Sequence, residues 1–302
     1  MSHQADSLKS IFYALGANFA IAIAKLVAAV ITNSGSMLAE GIHSLADCGN
    51  QILLLFGIKR AKRPPDAHHP LGYGKTVYFW SFIVAIMLFS MGGLFSVYEG
   101  VHKLHETEPM QSPWIAIGVL VFAIVAESLS MAGCVREVNK VRAGRSFRQW
   151  FIETRQSELL VIFGEDLAAL MGLVLALIAV SLAMITGNPL FDALGSIGIG
   201  ILLLVVAVMV GTEVKALIIG QGVEPAEHQR MWAFLESQSD VERVFNLLTM
   251  QMGDDVMAAI KAQMKPQTSD IALIEAINRV EAAFKQQFPN VVWCFFEPDF
   301  VD

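Results

Sequence analysis

The sequence predicts a membrane-embedded all-α bundle of six transmembrane helices, followed by a small α+β domain. Hydrophobic residues make up 55% of the 302-residue chain and charged residues only 16%, against roughly a quarter charged in soluble proteins. Six separate apolar runs reach the length of about 20 residues that crosses a bilayer. This composition excludes a disordered chain, a disulfide scaffold and a typical soluble enzyme.

The formal net charge of −7 arises from one end of the chain. Residues 1–218 carry 15 basic and 15 acidic residues, whereas residues 219–302 carry 6 basic and 13 acidic ones. We therefore divide the chain into a transmembrane domain, 1–218, and a soluble domain, 219–302. No basic surface that would suit nucleic acid is predicted, and the three scattered cysteines predict reduced thiols.

The loops between the six predicted spans differ in charge. The second and fourth loops hold five and six Lys or Arg residues, and the other loops hold one or none. By the positive-inside rule, both basic loops and both termini are cytoplasmic, and we expect an integral protein of a bacterial inner (plasma) membrane. The predicted spans lie at about 10–31, 36–57, 77–101, 113–134, 159–186 and 191–217.

The sequence of the soluble domain predicts helices and strands in the order α-β-β-α-β. Apolar spacing indicates two amphipathic helices, and Gly253-Asp254-Asp255 marks a hairpin between the first two strands. This order predicts a ferredoxin-like domain on the cytoplasmic side. The predicted elements are, in order, 225–238, 241–252, 256–264, 271–288 and 291–296.

Ionisable side chains inside the apolar spans indicate a functional site, because each costs at least about 2.5–3.5 kcal/mol to insert. His43 and Asp47 are four residues apart, so they share one face of span two. An imidazole and a carboxylate at this spacing form half of a tetrahedral divalent-metal site. Glu165 and Asp166 in span five lie at a similar depth, and the four residues together predict a metal site between two helices. The alternative is that His43 and Asp47 only satisfy each other within the bundle.

Three further ionisable residues lie within the spans. Glu40 is a candidate for proton coupling together with His43 and Glu165, because burial and like charges raise the pKa of a carboxylate. Lys25 lies about two turns from the outer end of its span, so its side chain is expected to reach the membrane surface. Glu127 either pairs with an arginine or carries protons, and the pattern does not separate these roles.

The loop before span three carries a second possible metal site. Asp66, His68 and His69 could bind an ion at the cytoplasmic mouth of the bundle. Alternatively, the Pro and Gly residues of 64–75 shape a turn on which the two histidines are solvated. The pattern leaves both interpretations open.

Several motifs resemble the cation diffusion facilitator family. The segment Ser34–Asp47 is similar to the family's second span, and His69–Lys75 is similar to its loop before span three. Six spans followed by a ferredoxin-like domain is the family's architecture over essentially the whole chain. Phe163–Ala169 and Trp293–Asp299 are similar to the branch that contains the mitochondrial zinc transporter nine.

The resemblance implies a homodimer that exports zinc, or a similar divalent ion, in exchange for protons. His43 and Asp47 match the family's ligands in span two. In span five Asp166 matches the last position of a His-x-x-x-Asp motif, but Ile162 occupies the histidine position. Either Glu165 or a water molecule then completes the site. An oxygen-richer site gives manganese, iron or cobalt more weight relative to zinc.

In the loop, Asp66 and His69 match family positions that can bind metal, whereas Tyr73 stands where a second histidine often occurs. In the soluble domain, the lone His228 argues against a multi-zinc site, and the domain is expected to act in dimerisation. Its apolar strand and helix faces, including Val291, Trp293 and Phe295, are expected to be buried.

The chain is expected to be a secondary transporter rather than an enzyme, with no resident cofactor. Metal binding requires a neutral imidazole, so protons compete with the ion near neutral pH. A passive metal channel would need polar residues along most of a pore. A non-transporting membrane scaffold would leave the clustered ionisable groups unexplained.

Overall fold

The computed structural model describes residues 2–105 and 112–301. A π-helical turn, Leu88–Leu94, joins the third and fourth helices into one continuous helix, Thr76–Lys103. The helices and strands are α1 (Ser2–Thr32), α2 (Gly35–Ala61), α3 (Thr76–Met87), α4 (Phe95–Lys103), α5 (Pro113–Val141), α6 (Phe147–Glu153), α7 (Ser157–Thr186), α8 (Leu190–Ile219), α9 (Pro225–Glu236), β1 (Val241–Met252), β2 (Asp255–Met264), α10 (Asp270–Gln287) and β3 (Val291–Pro298).

The chain forms two compact units. The first unit comprises the described residues up to Phe56, together with Trp80–Ser146 and Glu158–Glu213. The second comprises Gly57–Phe79, Phe147–Ser157 and the described residues from Val214 onwards. The long apolar helices therefore belong mainly to the first unit, and the β-sheet belongs to the second.

Four helices in the described part of the chain are long and apolar enough to cross a membrane. They are Thr76–Lys103, Pro113–Val141, Ser157–Thr186 and Leu190–Ile219. Helix α1 adds a shorter apolar stretch, Asn18–Thr32.

Helix α2 has 27 residues and is about 40 Å long at 1.5 Å per residue. It is not among the four apolar helices, because Glu40, His43 and Asp47 lower its hydropathy. Large apolar side chains project from the helices of the first unit, as they would toward lipid. Examples are Val30, Leu129 and Ile185, which are 82%, 71% and 76% exposed.

Glycines allow the long helices of the first unit to approach one another closely. A Cβ atom at Gly100 of α4 would lie 2.6 Å from Cγ1 of Ile197 on α8. A Cβ atom at Gly164 of α7 would lie 2.7 Å from Cγ2 of Val210, also on α8. Small residues commonly allow such close contacts between membrane helices. The contact at Gly164 sets the position of α7 next to its acidic pair.

The first turn of α2 is held by Asp192 at the start of α8. The Asp192 carboxylate accepts the N–H of Gly35 at 2.6 Å and the N–H of Ser36 at 3.3 Å. The hydroxyl of Ser34 donates to the same carboxylate at 2.7 Å. These contacts satisfy backbone donors that a helix leaves free at its start, and they place a negative charge at the positive end of the helix dipole. Helix α8 thereby holds α2 in place.

The second unit contains a three-stranded sheet in the order β1-β2-β3. Strands β1 and β2 form an antiparallel hairpin, and β3 is parallel to β2. Gly253 opens the turn of the hairpin with a φ angle of 77°, which favours glycine. The order α9-β1-β2-α10-β3 agrees with the predicted α-β-β-α-β order. The core of this domain includes Met231, Leu235, Ile260, Val280 and Phe284.

The apolar residues of β3 are divided between the core of the domain and its surface. Val291 is only 3% exposed and belongs to the core of the domain, whereas Phe295 is 56% exposed. The pairing of β2 with β3 shifts register just after Val291. Because alternate residues of a strand face opposite sides, one extra residue moves those that follow to the other face.

Candidate metal site

Three polar residues of α2 form one face of the helix, which we call the α2 polar face: His43, Asp47 and Asn50. His43 and Asn50 are fully buried, and the Asp47 side chain is 16% exposed. In the part of the chain that the structure describes, both ring nitrogens of His43, Oδ1 of Asp47 and Oδ1 of Asn50 are buried without a hydrogen-bond partner. A buried polar atom left in this way costs about 1–3 kcal/mol.

His43 and Asp47 do not satisfy each other. Nδ1 of His43 lies 3.5 Å from Oδ1 of Asp47, which is longer than the usual N–H···O distance. Both atoms stay unpaired at this separation. The two side chains therefore face a common space on α2 with lone pairs available to a cation.

Glu165 of α7 meets the α2 polar face through Asn50. Nδ2 of Asn50 donates to Oε1 of Glu165 at 2.5 Å, and Glu165 is 7% exposed. Asn50 did not figure among the candidate residues of the sequence analysis. Helical spacing could have identified it from the sequence, since it follows His43 by seven residues and Asp47 by three and so lies on the same face.

Asp166 is directed toward α5 instead. The hydroxyl of Ser130 lies 3.3 and 3.5 Å from the two carboxylate oxygens of Asp166. Helix α7 is a regular α-helix from Ser157 to Thr186, so two adjacent side chains diverge by about 100°. The two carboxylates of Glu165 and Asp166 therefore do not meet at one point. Glu127, whose predicted role was left open, acts electrostatically on both Asp166 and Asp47.

Taking the described residues together, no group of three or more His, Cys, Asp or Glu side chains is close enough to hold a metal ion. His43 and Asp47 on one helix and Glu165 on another instead form an open arrangement. The structure therefore brings Glu165 to α2 and leaves Asp166 directed to α5.

Lys25 does not extend to the membrane surface as expected. It is fully buried, and its Nζ lies 3.2 Å from Oε2 of Glu40 and 2.7 Å from Oγ of Ser44. The ion pair joins α1 to α2, one turn from His43. Glu40, a predicted proton-coupling residue, is therefore partnered by a buried cation through one oxygen, while its Oε1 has no described partner.

The loop before α3 uses Asp66 to shape a turn. Oδ1 of Asp66 accepts the backbone N–H groups of His68 and His69 at 2.9 and 2.8 Å. The hydroxyl of Tyr73 donates to Oδ2 at 2.6 Å. These bonds, above all the one from Tyr73, lower the pKa of the Asp66 carboxyl, and the same contact raises the pKa of Tyr73. The side chains of His68 and His69 are exposed.

Comparison with known proteins assigns the family. The family model of the cation efflux transmembrane domain matches residues 11–218. The chain belongs to this cation efflux family. It is also near the SLC30A9 branch, and the family places it among transporters rather than enzymes.

Three relatives illustrate the similarity of this cation efflux family member to known proteins. The mitochondrial proton-coupled zinc antiporter SLC30A9 of Xenopus laevis is 39% identical over 76% of the chain, and that of Homo sapiens is 37% identical over the same share. Metal tolerance protein C4 of Arabidopsis thaliana is 29% identical over 82% of the chain and 54% of its own length. The matched region spans 41% of the length of the two zinc antiporters.

These matches overturn the prediction of a bacterial inner membrane with cytoplasmic termini. Relatives that are similar over 76% of the chain are mitochondrial by name, so the prediction is wrong. The positive-inside rule compares the two faces of one membrane. Loop charges therefore say which loops share a face, but they do not identify the membrane.

We expect Lys25→Met to destabilise the protein strongly, because it leaves the buried Glu40 carboxylate without its cation. Removing one partner of a buried ion pair costs about 3–5 kcal/mol. The double variant Lys25→Met with Glu40→Gln should recover most of this loss. Thermal unfolding in detergent measures both effects, with Lys215→Met, at an exposed position of α8, as the control. A double variant no more stable than the single one would contradict this account.

We expect Asp66→Asn to loosen residues 64–75 at pH 7, because an amide accepts these hydrogen bonds less strongly than a carboxylate. The pKa of Asp66 is lowered in the fold, so its contribution is complete above the ordinary value of about 4. It is lost as the pH falls through the lower folded-state pKa. Hydrogen exchange of wild type and variant, compared at each pH, should therefore differ at pH 7 and converge in acid. His68→Ala is the control, and equal exchange at pH 7 would rule the idea out.

Proposed function

We propose that this chain exports divalent metal cations, zinc foremost, across its membrane in exchange for protons. The observation that carries the proposal is the α2 polar face, where buried nitrogen and oxygen atoms near Glu165 have no hydrogen-bond partner among the described residues. A divalent cation would satisfy several of these atoms at once. Membership of the cation efflux family and the names of the zinc antiporter relatives support the same conclusion.

The proposed transport site consists of His43 and Asp47 on α2 with Glu165 and Asp166 on α7. Zinc accepts imidazole nitrogen and carboxylate oxygen in tetrahedral sites, which suits this set. The site is rich in oxygen, so manganese, iron or cobalt efflux by the same mechanism is the second candidate. Helices α2 and α7 approach through Asn50 and Glu165, which supports a shared ion between them.

Proton exchange follows from the chemistry of the ligands. A metal ion binds the neutral imidazole and the ionised carboxylate, so a proton and the ion compete for the same atoms. On the side where protons enter, protonation of His43 and Glu165 releases the ion. On the opposite side, the next ion displaces these protons from His43 and Glu165 when it binds. Glu40 is a further candidate in this exchange, with Lys25 as its counter-charge.

A carrier accounts for the site better than a passive channel. A channel needs polar groups along most of its length, whereas the donors of this site are gathered near one depth of α2 and α7. We propose that α1 and α2 complete a six-span bundle with the four apolar helices. In the loop, we propose that Asp66 acts as a turn residue, with His68 and His69 solvated.

We also propose that the soluble domain is ferredoxin-like and forms a homodimer through the outer face of its sheet. Leu248 of β1 and Phe295 of β3 are both paired with Ala259 of β2, so the three residues form one row across the sheet. Leu248 and Phe295 are 60% and 56% exposed. An apolar row of this kind, open to water, favours burial against a second copy.

We expect Asp47→Ala to abolish metal transport and His43→Asp to retain it with a preference shifted toward manganese. The second change replaces the one nitrogen ligand with a harder oxygen ligand. Metal-driven proton flux in proteoliposomes, run with zinc, manganese, iron, cobalt and cadmium, measures both results. Asp254→Ala, an exposed change in the hairpin turn, is the control. Unchanged selectivity of His43→Asp would show that His43 does not contact the ion.

We expect Phe295→Glu to separate the proposed homodimer, since it places a charge in the apolar row of an acidic domain. Light scattering corrected for detergent should give twice 33.0 kDa for the wild type and 33.0 kDa for the variant. Ile271→Glu makes the same kind of change at a 70% exposed position of α10 and should stay dimeric. A wild-type mass of one chain would refute the dimer.

A further inference from the structure

We propose that Asn50 is a direct ligand of the transported cation, through its amide oxygen, while its amide nitrogen holds Glu165. The inference rests on the proposed function of the site between α2 and α7. It adds a residue that neither the spacing of His43 and Asp47 nor the acidic pair of α7 includes. It also assigns to this residue part of the preference among divalent ions.

The orientation of the Asn50 amide follows from its neighbour. Nδ2 of Asn50 lies 2.5 Å from Oε1 of Glu165 and donates to it, which suits the ionised carboxylate that would bind a cation. An amide turned the other way would place two oxygen atoms against each other. The nitrogen is thus committed to Glu165, and the amide oxygen is directed elsewhere, buried and without a described partner.

The position of Asn50 places that oxygen with the other unpaired donors. His43, Asp47 and Asn50 follow one another at intervals of four and three residues, so they form one stripe along α2. Each contributes at least one buried atom without a described hydrogen bond. These three residues therefore form a row of nitrogen and oxygen atoms with free lone pairs, which could bind a cation from one side.

A role confined to holding Glu165 does not account for the amide. Holding Glu165 uses only the amide nitrogen, and it leaves the amide oxygen buried without a described hydrogen bond. The amide oxygen becomes useful once a cation is present. It adds an oxygen ligand without a further negative charge, in a place where Asp47 and Glu165 already supply two. Carbonyl oxygens favour hard ions, so Asn50 should raise the affinity for manganese relative to zinc.

The test measures metal binding by the purified full chain in detergent, by calorimetry with zinc and with manganese. Asn50→Leu should lower the affinity for zinc about tenfold and the affinity for manganese by a larger factor. Asn50→His replaces the oxygen with a nitrogen donor, so it should raise the zinc-to-manganese affinity ratio about tenfold. Gln51→Leu is the matched control, since it removes an amide from the neighbouring position of α2 and should bind both ions as the wild type does.

A second measurement separates a ligand from a positioning residue. The visible absorption bands of bound Co²⁺ depend on the atoms that coordinate it, so Asn50→His should shift them while Gln51→Leu leaves them in place. If Asn50 only positions Glu165, zinc and manganese affinities fall by the same factor and the bands do not move, which overturns the inference. Wild-type affinities in both Asn50 variants would overturn it as well.

The same series distinguishes failure of the inference from failure of the proposed function. A wild-type chain that binds neither zinc nor manganese contradicts the proposed function itself. Suppose instead that the wild type binds metal and the Asn50 variants keep its zinc-to-manganese affinity ratio and its Co²⁺ spectrum. That result contradicts only the role of Asn50. Thermal unfolding of each variant accompanies the titrations, and Asn50→His decides the question if Asn50→Leu does not fold.

Discussion

Polar atoms buried in an apolar helical bundle are the constraint on which the rest of this structure depends. In a low-dielectric interior, each such atom must find a partner or destabilise the fold. Within the described residues, Lys25 finds Glu40 and Ser44, and Asp192 finds the first turn of α2. On the α2 polar face, Asn50 finds Glu165, but the ring nitrogens of His43, Oδ1 of Asp47 and Oδ1 of Asn50 have no hydrogen-bond partner among the described residues. Buried lone pairs are therefore more concentrated on this face than a packed interior requires.

Much of the first unit serves to hold the α2 polar face in place. Asp192 of α8 fixes the start of α2, and the Lys25–Glu40 pair fixes α2 against α1 one turn before His43. On the other side, Gly164 lets α7 approach α8, which sets the rotation that directs Glu165 to Asn50. The donors on α2 and α7 are therefore held by contacts outside the site, so a change in helix packing would change their separation.

The second unit brings the loop before α3 next to the sheet. The hydroxyl of Tyr78 accepts the N–H of Gly253 at 3.0 Å, and Arg155 donates to the carbonyl oxygen of Gly222 at 2.7 Å. Asp66 organises the same loop through the backbone of His68 and His69. Segments that flank the long helices thus belong to the unit that contains the sheet.

The sequence by itself determined what depends on local spacing. The apolar helices, the hairpin at Gly253 and the shared face of His43 and Asp47 all follow from periods of 3.6 and 2 residues. Only the tertiary structure decided that Glu165, rather than Asp166, faces α2, that Asn50 is the residue it meets there, and that Lys25 is paired with Glu40. The register shift after Val291 is likewise visible only in the tertiary structure. Each depends on helix rotation or strand pairing, which contacts between distant segments set and local periodicity does not encode.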